Sequence, residues 1–362
     1  MFVSNITLKN FRNYTSLVLP LKNGITVLSG SNGQGKTNLL EAVYFCSIGK
    51  SPRTPRDGEL ILHNEEQAKI SVECAKSIGK EKVDIVLSRL DNKRVNINGM
   101  PISKLGELMG AVATVFFSPT ELRIVQGGPS ERRSFIDIAI CQLSKTYFYL
   151  LTRYQKILSQ RNRLLKSGKA TDDTLDIWDN QLASEGAKVI KTRKGFIKQL
   201  SPIANKNHNY LTSDVENLEL FYEGIEGKTQ NEIYDNFLVQ LAKDRQRDIK
   251  NGHTHSGPQR EDLRIVINGL DIRTFGSQGQ QRTSALSLKL SELDLATVTR
   301  GESPILLLDD VLSELDKSRQ EKLLTRVSNF QTLITCTHLE PSVAELLGSE
   351  ISLLTVKNGT VS

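Results

Sequence analysis

Apolar and polar residues alternate through the first dozen positions, with Phe2, Ile6 and Leu8 spaced by polar residues. This pattern predicts a half-buried strand from Phe2 to Arg12. Leu17-Val18-Leu19, closed by Pro20, predicts a second strand, and Ile25-Thr26-Val27-Leu28 after the Asn23-Gly24 turn predicts a third. Leu39, Leu40, Val43 and Phe45 among good helix formers then predict a helix. Residues 68–99 alternate again, at 68–74 and 83–87, and end on Asn98-Gly99, as a β meander does. Ala111 to Phe117 is apolar and β-branched up to Ser118-Pro119, as expected of a strand inside a sheet.

The pattern changes near Thr120. Phe148, Leu151, Tyr154, Ile157 and Leu158 form an apolar stripe at helical spacing. Leu175 to Leu200 predicts a second helix, interrupted at Gly186, and Gln230 to Ala242 another, with a strand within Asp214–Tyr222. A strand and turn at 264–269, a helix carrying Leu286, Leu290 and Leu293, and two aliphatic strands at 305–308 and 332–336 complete the chain. The expected organisation is therefore a β-rich first part at 1–119, a mainly helical inserted lobe at 120–250, and a closing α/β part at 251–362. The helices of the lobe look too short and irregular for a long coiled-coil arm.

The chain has 362 residues, 38% of them hydrophobic and 24% charged, an ordinary globular balance. No apolar run nears the roughly 18–20 residues a membrane span needs, and no secretory leader is visible. The four cysteines are scattered, which fits a reducing cytoplasm and argues against a disulfide or metal framework. His253 and His255 read as a turn between glycines. The net charge of +6 is unevenly spread. Residues 145–206 hold 13 Lys or Arg against 5 Asp or Glu, an excess of +8. A basic face of this kind suits an acidic polymer, and equally a solvated helix surface.

Gly30-Ser31-Asn32-Gly33-Gln34-Gly35-Lys36-Thr37 has the form G-x-x-x-x-G-K-[ST] between a predicted strand and a predicted helix. Backbone N–H groups of such a loop converge on phosphate, Lys36 reaches the β- and γ-phosphates, and the Thr37 hydroxyl suits Mg²⁺. ATP and Mg²⁺ are the expected ligands. Ile305 to Leu308 leads into Asp309-Asp310 at a strand end, where Asp309 would hold Mg²⁺ and Asp310 would activate water. Ser277-Gln278-Gly279 opens a helix and forms a second candidate anion site. Ser277 and Gly279 lie so far in sequence from the phosphate loop that each site is expected to serve a different nucleotide across a two-fold dimer. His338, at the end of a core strand expected to lie beside the carboxylate strand, would sense a γ-phosphate. Arg53 and Arg56 sit in a proline-broken loop. With Arg132 and Arg133 they are the candidate contacts to a nucleic-acid backbone.

Together these residues resemble the ABC-type ATPase heads, and more narrowly the RecF-like group related to the heads of SMC proteins. The stretches that carry the resemblance include Phe11-Arg12-Asn13-Tyr14, Gly30 to Glu41, Phe117-Ser118-Pro119, Gly128-Pro129 through Asp137, Gly257 to Arg260, Ser277 to Arg282 and Leu307 to Asp316. The resemblance implies an α/β ATPase head with mixed β-sheets and an inserted helical lobe, without a long coiled coil. It implies an ATP-dependent DNA-binding recombination mediator for double-stranded and gapped DNA. Such a protein would be a homodimer on ATP binding, acting with RecR and RecO to load RecA during repair and the SOS response. Asp310 stands where most ABC heads carry glutamate, so weak hydrolysis is expected, and Gln126 is the candidate for the glutamine loop. A transporter ATPase subunit predicts a membrane partner, a structural chromosome ATPase predicts long helical arms, and a phosphate-loop kinase has no use for Ser277.

Overall fold

The computed structural model describes residues 1–338, 343–345 and 351–362. In chain order its strands are β1 (Phe2–Phe11), β2 (Tyr14–Pro20), β3 (Ile25–Ser29), β4 (Gln67–Ala75), β5 (Lys80–Ser88), β6 (Arg94–Ile97), β7 (Met100–Pro101), β8 (Thr114–Phe117), β9 (Leu218–Glu223), β10 (Asp262–Ile267), β11 (Leu270–Asp271), β12 (Ile305–Asp309), β13 (Thr332–Cys336), β14 (Ser352–Lys357) and β15 (Thr360–Val361). Its main helices are α1 (Lys36–Ile48), α2 (Arg123–Gln126), α3 (Pro129–Leu143), α4 (Lys145–Lys166), α5 (Asp172–Thr212), α6 (Gln230–Asn251), α7 (Ile272–Phe275), α8 (Gln278–Arg300) and α9 (Lys317–Val327).

Two compact units divide the chain. The first comprises Met1–Leu122, Asn207–Val215 and Arg282–Ser362. It contains two six-stranded sheets, ordered β2-β1-β4-β5-β6-β7 and β15-β14-β3-β13-β12-β8. The former is an antiparallel meander, whereas β14, β3, β13, β12 and β8 of the latter run parallel. Helix α1 packs on strands of both sheets. It has no polar face because it has no free face: eleven of its thirteen residues are buried. Every residue of β12 and β13 is also buried, as inner strands of a covered parallel sheet must be.

Alternation in β1 changes phase at a register irregularity between Val3 and Asn5. The slip puts Val3 rather than Phe2 into the core beside Ile6 and Leu8.

The second unit comprises Arg123–Lys206 and Glu216–Gln281. Helices α3 to α6 dominate it, beside a three-stranded antiparallel sheet β11-β10-β9. Residues 251–281, expected with the closing α/β part, cluster with this unit, and residues 207–215 with the other. Helix α5 runs 41 residues without the interruption expected at Gly186. A Cβ at Gly186 would lie 2.5 Å from the Phe237 ring and 3.1 Å from that of Tyr154. The glycine therefore lets α6 and α4 approach and does not end the helix. The second unit also buries charge: Arg161, fully enclosed, donates to Asp179 at 2.6 Å, Asp248 at 2.7 Å and the Thr254 hydroxyl at 2.8 Å. No described helix is long and apolar enough to cross a membrane.

Candidate functional site

Strand β3 ends at Ser29, and the loop from Gly30 leads directly into α1. Gly30 has φ 146°, and a Cβ there would stand 2.4 Å from the Val356 carbonyl oxygen of β14. Only glycine lets the loop leave the sheet at that point. The Lys36 side chain turns back along the loop, its Nζ donating to the Gly30 carbonyl at 2.5 Å and the Ser31 carbonyl at 2.9 Å. The ammonium is thus held inside the curl that would receive phosphate.

The parallel register β3-β13-β12 brings the second half of the site alongside. Thr37 Oγ1 donates to Asp309 Oδ1 at 2.7 Å, across 272 residues of sequence, and Thr335 Oγ1 donates to the same oxygen at 2.8 Å. Thr335 Oγ1 also accepts the backbone N–H of Asp310 at 2.9 Å. Asp310 itself has φ 53°, a left-handed backbone rarely adopted outside glycine, asparagine and aspartate. A hydroxyl and a carboxylate in contact are hard oxygen donors that suit Mg²⁺, which binds few protein ligands and keeps water and phosphate oxygens. The residues present therefore fit this ion.

Cys336 follows Thr335. Burial raises its thiol pKa, and Asp310 adds to the rise while Lys36 opposes it. His338 is exposed just beyond β13 and makes no hydrogen bond among the described residues. Strand β13 does lie beside β12, the adjacency on which the sensor role for His338 depends.

Residues from both ends of the chain brace the loop. Asn13 Nδ2 donates to the Gln34 carbonyl at 2.8 Å, and Tyr14 Oη donates to the Gly35 carbonyl at 3.0 Å. Burial pushes the Tyr14 phenol pKa well up, so it remains a donor. From the β14–β15 hairpin, Asn358 N–H donates to Gln34 Oε1 at 2.7 Å and Gly359 N–H to the Gln34 carbonyl at 3.1 Å. Asn38 Nδ2 reaches Asn13 Oδ1 at 2.8 Å, and Arg53 Nη1 reaches Asn38 Oδ1 at 2.9 Å. Behind them the buried Glu41 accepts from Arg12 Nε and Nη2, at 2.8 and 2.7 Å, and from the Ser51 hydroxyl at 2.5 Å. Asn38, Thr335, Asn358 and Gly359 were not legible as site residues, because amides and hydroxyls carry no motif of their own.

Other expected residues lie elsewhere. Ser277 and Gly279 belong to the second unit. Ser277 Oγ accepts the Gln280 N–H at 3.2 Å while Gln280 Oε1 accepts the Ser277 N–H at 2.9 Å, a reciprocal helix cap. Gln126 donates to Gln281 Oε1 at 2.9 Å within the same unit. Asp316 caps α9 by accepting the Arg319 N–H at 3.0 Å. Arg56 is exposed and Arg53 half-exposed. Arg132 is a correction. It is buried, and its Nε and Nη2 each meet an Asp262 oxygen at 2.7 Å, so it cannot face DNA. Arg133 is partly buried and donates to the Glu261 carbonyl at 2.7 Å.

The family model described as "RecF/RecN/SMC N terminal domain" matches residues 2–361. A protein of Clostridium novyi named "DNA replication and repair protein RecF" is 43% identical over 362 residues, spanning 100% of both chains. The chain belongs to the RecF family. A RecF relative from Clostridium kluyveri is 42% identical over 364 residues, again spanning 100% of both chains. The solved structure described as "Structure of the recombination mediator protein RecF-ATP in RecFOR pathway" is 35% identical, with a TM-score of 0.92 over 100% of this chain and 97% of that one. An Smc head domain from Pyrococcus furiosus, 15% identical with a TM-score of 0.58 over 100% of this chain and 95% of that one, shares the fold. The RecF-family chain is thus a mixed α/β ATPase head of the kind found in RecF and Smc, with no coiled-coil arm among the described residues.

Proposed function

We propose that the protein is an ATP-dependent DNA-binding recombination mediator that works in the cytoplasm as an ATP-gated homodimer. The observation that carries this reading is the cluster of Lys36, Thr37, Asp309 and Thr335 around one phosphate loop. The RecF relatives named for replication and repair, and the solved RecF–ATP structure, support it. Lys36 binds the β- and γ-phosphates through the loop where its ammonium now rests, and the Gly30 to Thr37 amides orient them. Thr37 and Asp309 would hold Mg²⁺, which neutralises charge on the phosphate oxygens when bound. Asp310 orients the attacking water and takes its proton. Its arm is short, so hydrolysis is slow and depends on DNA. His338 contacts the γ-phosphate.

Ser277 is exposed, and among the described residues its hydroxyl is engaged only in its own helix cap. Ser277, with Gly279 beside it in the same helix start, meets the γ-phosphate held by a second copy. Closure of the dimer joins two basic surfaces around duplex DNA at gaps and at junctions with single strands. Through RecR, with RecO, the DNA-bound dimer assists RecA loading and the SOS response. The test is Ser277→Arg. The variant should bind ATP as the wild type does and remain monomeric in sedimentation with non-hydrolysable nucleotide. Dimers that persist would remove the cross-subunit role.

A further inference from the structure

No acidic residue occurs between Asp137 and Asp172, a stretch that includes the whole of α4 and seven Lys or Arg. At 100° per residue, Lys145, Thr152, Lys156, Ser159, Arg163 and Lys166 fall within about 80° of arc on that helix. All six are exposed. The buried residues Tyr147, Tyr154, Arg161 and Leu165 lie on the opposite side. The helix therefore has one packed face and one face whose only charges are positive.

Its neighbours do not compensate that face. Several acids of the surrounding helices are already paired: Asp137 with Arg193, Asp248 with Arg161, Asp179 with Arg161 and Arg245, Asp172 and Asp176 with Arg245, and Glu185 with Arg153 and Lys188. Lys145, Lys156, Arg163 and Lys166 make no ion pair among the described residues. Beside the stripe runs an open groove of about 480 Å³ lined by Gln155, Leu158, Ser159, Asn162, Arg163 and Lys166. Asn162 Oδ1 accepts both the Thr254 N–H at 2.8 Å and its hydroxyl at 2.7 Å. This anchors the Asn162 amide so that its N–H₂ is left to donate.

We propose that the outer face of α4 is a contact surface for a nucleic-acid backbone, with Lys156, Arg163 and Lys166 as its phosphate ligands and Ser159 and Asn162 as neutral donors between them. The inference rests on the DNA-binding role proposed above and assigns that role a surface. Lys145 to Lys166 spans about 30 Å of helix, the length of about nine base pairs. Cations spaced along a helix contact phosphates and so read charge and not sequence. An acidic protein would need apolar anchors for a stable interface, and Leu158 is the one apolar residue lining the groove.

The test uses the full chain with non-hydrolysable ATP analogue and duplex DNA over a salt series. The variant is the triple change Lys156→Gln, Arg163→Gln and Lys166→Gln. It should retain wild-type nucleotide affinity, bind DNA about tenfold or more weakly at 0.15 M salt, and show a log affinity against log salt slope shallower by about 2.7, near 0.9 for each phosphate that is no longer neutralised. The charge-preserving triple Lys156→Arg, Arg163→Lys and Lys166→Arg should restore both readouts. A wild type that binds DNA while the glutamine variant keeps its affinity and slope overturns the surface alone. A wild type that retains no DNA in any nucleotide state removes the proposed function itself. Polyglutamate that competes as well as DNA at equal charge would assign the stripe to an acidic protein and overturn the proposal.

Discussion

Asp310 carries both a backbone in an unusual region and a carboxylate beside the nucleotide loop. Its φ of 53° is fixed by the bond from its N–H to Thr335, and it directs the residue after β12 out of the sheet. Such a conformation costs about 1–3 kcal/mol in a non-glycine residue and persists where the surroundings over-determine it. Asparagine tolerates the same backbone, so Asp310→Asn removes the base without moving the loop. The expected outcome is nucleotide binding close to wild type and hydrolysis slower by about 10²–10⁴-fold, read by equilibrium titration and single-turnover phosphate release. Hydrolysis at the wild-type rate in this variant would eliminate Asp310 as the base. At this scale the sequence was most legible where chemistry is local: Lys36 and Thr37 are neighbours inside one motif. Asp309 was legible because four aliphatics in front of it mark a strand end. Arg132 was misleading for the opposite reason. Its partner Asp262 lies 130 residues away, and nothing near Arg132 announces that its charge is spent.

Elements were legible where a single period governs burial. Strands β4, β5, β12 and β13 and helices α1 and α6 occur where alternation, aliphatic runs or helical spacing placed them. The failures came from packing that no local window contains. Gly186 looks like a break, yet α5 passes through it because two aromatic rings need the space. Gly186→Val therefore sets propensity against packing. A non-glycine residue gains up to about 1 kcal/mol of helix propensity. The added methyls, however, must displace Phe237 inside a buried contact, and overpacking costs about 1–3 kcal/mol. Packing should win, and the urea midpoint should fall with an unchanged denaturant slope. A higher midpoint would mean that Phe237 moves aside freely and the close approach is incidental. The β14–β15 hairpin was likewise invisible as part of the site. Its role comes from parallel pairing with β3, which brings Asn358, 324 positions away in sequence, and its neighbour Gly359 onto Gln34.

For the whole molecule, the nucleotide loop and the Ser277 cap belong to different units. Length, charge and motif order conveyed the family, but not where the two units divide, since helices α5 and α8 each contribute residues to both. The proposed dimer makes stability a thermodynamic readout. A nucleotide that binds only the folded chain stabilises it by about 2.7 kcal/mol at a hundredfold excess over its dissociation constant, whatever the protein concentration. If two copies close over the nucleotide, association adds a second term that grows with protein concentration. The melting temperature with a non-hydrolysable analogue should therefore rise as the protein is raised from low to high micromolar, while without nucleotide it should stay flat. Ser277→Arg separates the terms. It should keep the concentration-independent shift, because Lys36 and Thr37 are untouched, and lose the concentration-dependent one. Differential scanning calorimetry of both chains over that range decides the matter. A wild-type shift that ignores protein concentration at saturating nucleotide and DNA would leave a phosphate-binding loop without the subunit closure proposed for it.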